Sequence, residues 1–377
     1  MVVTRAKLFL FFMLWSVSLS VQALVLPEDR FDSLYHSYDG GGITVNGPSI
    51  LIRKNIADSV SVSANYYVDS ISSASIDVET RASRYSEERT QHSVSADYLH
   101  DKSIISYSYT TSEENDYEAT TSNFSVSQEM FGGLTTVSLG FKLGNNIIFK
   151  TGNALFREEN ESRGYRLTAS QVLTKNMLLG VAYEITTDEG FLNNPYREFR
   201  YDDGSGVSQW DLEVYPNTRT SNALGFSLRY FLPYRAAVYG GYRYFIDSWD
   251  IEADTFDVGY VFPHKDKWLF ELTYRYYSQN NAEFYSDLFT TLYTHMARDK
   301  ELSTYTSHSI GLGATYKLGS MGIFEKGTVN FLYNYFLFDY QDFRDIPEGL
   351  STGAVIGQEP LYELKANVFR FYLSFWF

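Results

Sequence analysis

Apolar and polar residues alternate with period two along most of this chain. At the C-terminus Phe369, Phe371, Leu373, Phe375 and Phe377 fall on one side, and Arg370, Tyr372, Ser374 and Trp376 on the other. Successive side chains of a β-strand point to opposite faces, so each such run is a strand with one apolar face. The alternation recurs at 60–69, 93–98, 137–144, 181–186, 224–230, 255–262, 268–276, 310–318 and 329–337. No helix is predicted.

The breaks between these runs are of two kinds. Short turns are expected at 56–58, 100–102, 130–133, 174–176, 233–235, 264–267 and 320–327. Long loops are expected near 73–90, 147–161, 188–218, 280–303 and 341–361, with tighter turns near 115–118 and 248–251. Short turns at one end and long loops at the other are the rule for barrels of the bacterial outer membrane. Counting back from Phe377 gives 14 strands to about Asp58. Pro48–Lys54 makes a fifteenth, and Ser33–Thr44, bent at Gly40-Gly41-Gly42, a sixteenth. The predicted fold is all-β: a transmembrane antiparallel up-and-down β-barrel of about 16 strands. The alternative is 14 strands plus an N-terminal plug. Tyr66, Tyr98, Tyr109, Tyr183, Tyr230, Tyr260, Trp268 and Tyr276 suit the interfacial girdles of such a barrel. A final strand ending in Phe is what the barrel-assembly machinery recognises in outer-membrane proteins as a class, so Phe369, Phe371, Leu373, Phe375 and Phe377 are the expected assembly signal.

Composition sharpens this picture at the N-terminus. Arg5 and Lys7 precede the apolar stretch Leu8–Val21, and Val21-Gln22-Ala23 places small residues where a signal peptidase reads. Residues 1–23 are therefore expected to be a signal peptide, 24–47 a first strand or plug, and 48–377 the barrel. Export places the chain in the outer membrane of a Gram-negative cell, with lipid as the partner of the apolar face. The mature charge becomes 29 − 46 = −17, because the signal removes Arg5 and Lys7 and no acid. That balance repels nucleic acid. There are no cysteines, which excludes disulfides and thiolate metal sites.

Candidate chemistry is sparse. Alternation turns Lys142, Arg166, Glu184, Arg229, Arg243, Asp257, Glu271, Arg275, Lys317 and Arg370 inward, together with Asp69 and Asp97. Such charges can set the field of a pore or can fill the barrel as ion pairs. Asp39, Gly40, Gly41 and Gly42 are a plug hinge or a turn needing positive φ. The acidic stretch 188–211 lacks EF-hand spacing, and the six histidines lack metal-ligand spacing. His308, between Ser307 and Ser309, is the one hydrolase candidate. No cofactor and no catalytic residue is assigned. Two functions stay open: a channel for small polar solutes, and a plugged barrel that docks a periplasmic partner.

Several segments resemble a known family. They are Leu26–Arg30, Tyr38–Ser49, Ser63–Asp69, Ala74–Val78, Asn194–Arg197, Tyr215–Thr220, Arg298–Ser303 and Leu373–Phe377. Together they look like an uncharacterised family of proteobacterial outer-membrane proteins, catalogued as a domain of unknown function. The resemblance implies the barrel and its location, and no chemistry. Members of that family are often encoded near a thioredoxin-like protein, a small lipoprotein and a flavin transferase, which implies an envelope redox system.

Overall fold

The computed structural model describes residues 25–73, 75, 76, 80, 85–204 and 207–377. The expected signal peptide, and part of the segment 74–78, lie outside the described residues.

Among the described residues the strands are β1 (Arg30–Gly40), β2 (Ile43–Ala57), β3 (Val60–Ser73), β4 (Tyr85–His100), β5 (Ser103–Glu114), β6 (Tyr117–Met130), β7 (Thr135–Lys150), β8 (Asn153–Thr174) and β9 (Met177–Gly190). They continue with β10 (Glu198–Asp202), β11 (Ser208–Leu212), β12 (Thr218–Phe231), β13 (Ala237–Asp247), β14 (Glu252–His264), β15 (Trp268–Gln279), β16 (Tyr305–Leu318), β17 (Lys326–Arg344) and β18 (Leu361–Trp376). All but β10 and β11 form one closed antiparallel barrel of 16 strands, each paired with its neighbours in sequence; β10 and β11 make a separate hairpin. The barrel closes where β1 pairs with β18, from Arg30↔Trp376 to Gly40↔Ala366. Closure leaves no edge of unpaired N–H and C=O groups, which would be costly in hydrocarbon. The 14-strand alternative with an N-terminal plug is thereby replaced: residues 30–57 are wall.

Register carries one apolar face around the barrel. Tyr35 pairs with Phe371, Phe371 with Phe331, and Phe331 with Ala314, which pairs with Phe270. Further round, Leu224 pairs with Tyr183, Tyr183 with Leu167, and Leu167 with Leu139. These residues line the outer surface, where Phe270, Leu139, Leu167 and Phe331 are exposed.

Three sequence expectations change. The glycine run is not a bend within one strand. Gly41 and Gly42 take φ of 57° and 74° in a two-residue turn between β1 and β2, a conformation that costs L-residues a clash and glycine none. Second, 147–161 is no loop: β7 and β8 continue as a hairpin to a tip at Thr151-Gly152. The polar residues there mark the exit from the apolar band, while backbone pairing goes on. Third, the last long loop holds a short helix, α1 (Ile346–Thr352). Asp345 caps it by accepting from the Glu348 N–H at 2.9 Å, and Pro347 sits in its first turn.

Candidate functional site: the lumen and its loop cap

Inward positions follow from the register. Because Leu167, Tyr183, Leu228, Phe256, Leu272, Tyr274, Phe141, Tyr316 and Phe371 face out, their neighbours Arg166, Glu184, Arg229, Asp257, Glu271, Arg275, Lys142, Lys317 and Arg370 face in. Arg243 joins them through its pairing with inward Gly225. Several of these charges meet. Arg166 Nε lies 3.2 Å from Glu184 Oε1, and Arg243 Nη2 lies 3.8 Å from Glu184 Oε2. Tyr239 donates to Glu271 at 2.7 Å, lying across Gly259, where any Cβ would strike its ring. Arg229 stacks over that same ring at 5.2 Å. Arg370 donates to Asn334 at 3.0 Å. Near the short-turn end Arg53 is paired with Asp97, beside Ser61, Ser63, Ser95 and Ser106.

A second group lies on the inner face of β1 to β4. His36 Nε2 is 2.8 Å from Asp69, Tyr67 OH is 3.1 Å from the same nitrogen, and Arg89 reaches Asp69 at 2.8 Å. His36 stacks on Tyr67 at an interplanar angle of 4°. His36 pairs across β1–β2 with Gly47, so no side chain stands between it and β3. At Gly47 the β2 backbone also lies hard against β3; a Cβ there would collide with the Val68 carbonyl.

Toward the long-loop end the inner face turns apolar. Tyr38, Tyr277, Tyr305, Phe336, Phe338, Tyr340, Leu364, Ala366 and Val368 pack with Phe343, Ile76 and Tyr362, and Phe343 is 0% exposed. Ile43, Val45 and Ile71 extend the cluster across β2 and β3. The sequence carried a signal for this: Phe331–Tyr340 is almost continuously apolar, as a strand covered on both faces should be. Outward alternation alone hides it.

Above this cluster the long loops fold on one another. Leu192, Tyr215, Trp249, Ile251, Ala282, Tyr285, Ala297 and Leu302 form one core, and Phe199, Phe289 and Met296 another. A buried ion network ties them together. Arg200 (β10, 1% exposed) binds the Asp287 carbonyl at 2.9 Å and its carboxylate at 2.5 Å, and grips Glu359 through both oxygens at 2.6 and 3.0 Å. Arg298 binds Asp287 at 2.9 and 3.0 Å and stacks on Phe343 at 4.3 Å. Arg197 pairs with buried Asp299, to which Tyr215 OH donates at 3.2 Å. Burial pushes the Glu359 carboxyl up, but the Arg200 bonds and backbone N–H groups outweigh it and hold the group below its ordinary value. These residues come from three separate loops, so spacing in the sequence could not assemble them.

The remaining candidates separate. His308 faces outward, its Nδ1 2.9 Å from Tyr274 OH, while Ser307 and Ser309 point inward, so no triad is assembled. The acidic stretch 188–211 forms no cation cluster among the described residues. Glu87 on β4, Glu114 at the end of β5 and Asp116 in the turn that follows do bring carboxylate oxygens within 4.8 Å of one another, and Tyr196 OH donates to Asp116 at 2.8 Å. Asp39 and Gly40 end β1, and Gly41 and Gly42 form the turn after it.

Residues 77–342 match the model of a family described as protein of unknown function, DUF3570. The chain belongs to this DUF3570 family. No curated protein matches it in sequence. Among solved structures, the chain is similar to a bacterial polysaccharide outer membrane secretin, at 7% identity and a TM-score of 0.48, covering 93% of this chain and 99% of that one. It is similar to the outer-membrane expressed OmpT of Vibrio cholerae at 10% identity and 0.43, covering 94% and 100%. A monoaromatic hydrocarbon channel, CymD, matches at 9% identity and 0.44, covering 93% and 89%. This DUF3570 member is thus a 16-strand barrel with a polar, charge-bearing inner wall and a folded cap over its long-loop end.

Proposed function

We propose that this chain is an outer-membrane channel for small polar solutes, exported by residues 1–23, whose outer mouth is closed at rest by the folded loop cap. The observation that carries this reading is the inner wall itself: Arg166, Glu184 and Arg243 form one triad, Arg53 pairs with Asp97, and Tyr239, Arg229 and Glu271 form another group. Charges on a barrel wall are tolerated where water reaches them, and opposed signs in pairs give a polar path with weak preference for either ion sign. The sealed aromatic cluster and the buried Arg200 network supply the closure.

The same closure favours a second reading, in which the barrel stays shut and serves as an envelope anchor for a periplasmic partner. Planar-bilayer recording separates the two. A channel gives discrete, weakly selective conductance steps, more frequent once the cap is weakened by Arg200→Met. Silence from both wild type and the cap variant, with intact barrel folding, leaves the anchor reading.

A further inference from the structure

Arg53, Arg89, Arg166 and Arg243 on the inner wall each have an acid beside them. Arg370 does not. It is half-buried on the inner face of β18, and its Nη2 donates to the Asn334 side chain, an uncharged amide, at 3.0 Å. Among the described residues no carboxylate pairs with it, and its Nε–H is buried with no acceptor. Its cross-strand partner at the barrel seam is His36, 4% exposed. Nε2 of that ring meets Asp69, a carboxylate also held by Arg89, which can only accept, so the ring proton lies on Nε2. In the neutral ring Nδ1 is then an acceptor, and it too is buried with no hydrogen-bond partner.

Buried polar groups without a partner are rare, and here two of opposite character stand on paired residues. Directly opposed residues have Cβ atoms about 5 Å apart, so one short molecule can reach both. The guanidinium calls for an anion, and its planar fork of N–H groups matches a carboxylate. Nδ1 calls for a donor, and a hydroxyl is the donor a small acid can carry. Position agrees with this. The next inward residues toward the long-loop end, Val368 and Tyr38, belong to the sealed aromatic cluster. The pair therefore lies directly beneath the seal, where a solute entering from the short-turn end would stop.

We propose that Arg370 and His36 form a binding subsite for a small 2-hydroxycarboxylate. Arg370 holds the carboxylate, and His36 Nδ1 accepts from the hydroxyl on the adjoining carbon. Asp69 fixes the tautomer through Nε2, and the parallel stack on Tyr67 fixes the plane of the ring. A plain carboxylate makes only the first contact and leaves Nδ1 unmet, so the hydroxyl is what the site selects. As a stage on a solute path the subsite rests on the channel reading; as a binding site it is measured without current.

The test is equilibrium dialysis of the full-length refolded protein against radiolabelled glycolate or acetate, at about pH 8, where an ordinary imidazole is neutral. Wild type is expected to bind glycolate roughly fivefold or more tightly than acetate. Arg370→Gln should weaken both by roughly tenfold or more. His36→Gln keeps an amide donor for Asp69 but has no counterpart of Nδ1, and should bind the two acids alike. Heat-dependent gel mobility shows whether each variant is folded. Wild type that binds glycolate no better than acetate, or binds inorganic phosphate as tightly as glycolate, would overturn the proposal even if neither variant folds. Unchanged binding in folded Arg370→Gln would overturn it too. Planar-bilayer recording in glycolate separates the two readings. Conductance without glycolate binding would overturn the subsite and leave the channel, whereas saturable binding in a silent barrel would uphold the subsite and overturn the channel.

Discussion

Removing Arg200 tests the cap as a separately held lid. Its guanidinium is 1% exposed and bridges β10 to Asp287 and Glu359 in two other loops. In Arg200→Met, Asp287 keeps Arg298 at 2.9 and 3.0 Å and the Arg344 N–H at 3.1 Å. Glu359 keeps only backbone N–H groups. The penalty therefore falls on one buried carboxylate deprived of its counter-ion, a loss of about 3–5 kcal/mol. Barrel pairing does not pass through Arg200, so the loss appears as local opening of the cap, about 100- to several-thousand-fold more frequent at 1.4 kcal/mol per tenfold. Native-state hydrogen exchange across 191–217, 280–304 and 345–360 reads this directly. Protection should fall by that factor in the loops and stay unchanged in β4 to β9. Adding Glu359→Gln should restore part of it, since the neutral amide removes the stranded charge. Unchanged loop protection in Arg200→Met, or equal loss throughout the barrel, would refute the reasoning.

Glu359 also gives the cap a pH dependence. Its carboxyl lies below its ordinary value of 4.5 when folded, so its contribution is complete above that value and is lost as pH falls through the folded pKa; loop exchange corrected for intrinsic rates should rise as the pH is taken down below 4.5, and a flat profile would contradict it. Glu184→Gln leaves Arg166 and Arg243 without their shared acid, and single-channel reversal potentials should shift toward chloride by roughly twofold or more in permeability ratio; an unchanged ratio would remove this triad from the permeation path. Gly47→Ala drives a methyl into the Val68 carbonyl and across the path from His36 to Asp69, costing about 1–3 kcal/mol, which should lower the temperature at which the barrel loses its compact gel mobility. Retained wild-type mobility at every temperature would speak against that close approach.

How much of this was legible in the sequence depends on which physical constraint acts. Period-two alternation fixes strand identity because lipid demands one uniform face, and the 16 strands with the seven short turns follow from it. The glycine run misled because Gly40-Gly41-Gly42 permits both a bend and a turn, and only the pairing of Tyr38 with Val45 selects the turn. The β7–β8 hairpin was hidden because strand pairing outlasts the apolar pattern once the chain leaves the bilayer. Inward charges were readable one by one from alternation. Their partners were not: Arg166 and Glu184 meet by register, whereas Arg200, Asp287 and Glu359 meet through three loops whose lengths say nothing of how they pack. The aromatic cluster under the cap had a signal, the loss of alternation in Phe331–Tyr340, and it was outweighed by the outer ladder.

In this barrel one wall surface meets lipid while the other meets water. Single nitroxide labels at positions 224 to 229 of β12, in refolded vesicles, measure that directly. Collision rates with oxygen should peak at Leu224, Phe226 and Leu228, and those with a water-soluble nickel complex at Gly225, Ser227 and Arg229. A profile without this two-residue period, or one with all six positions shielded from both reagents, would contradict it.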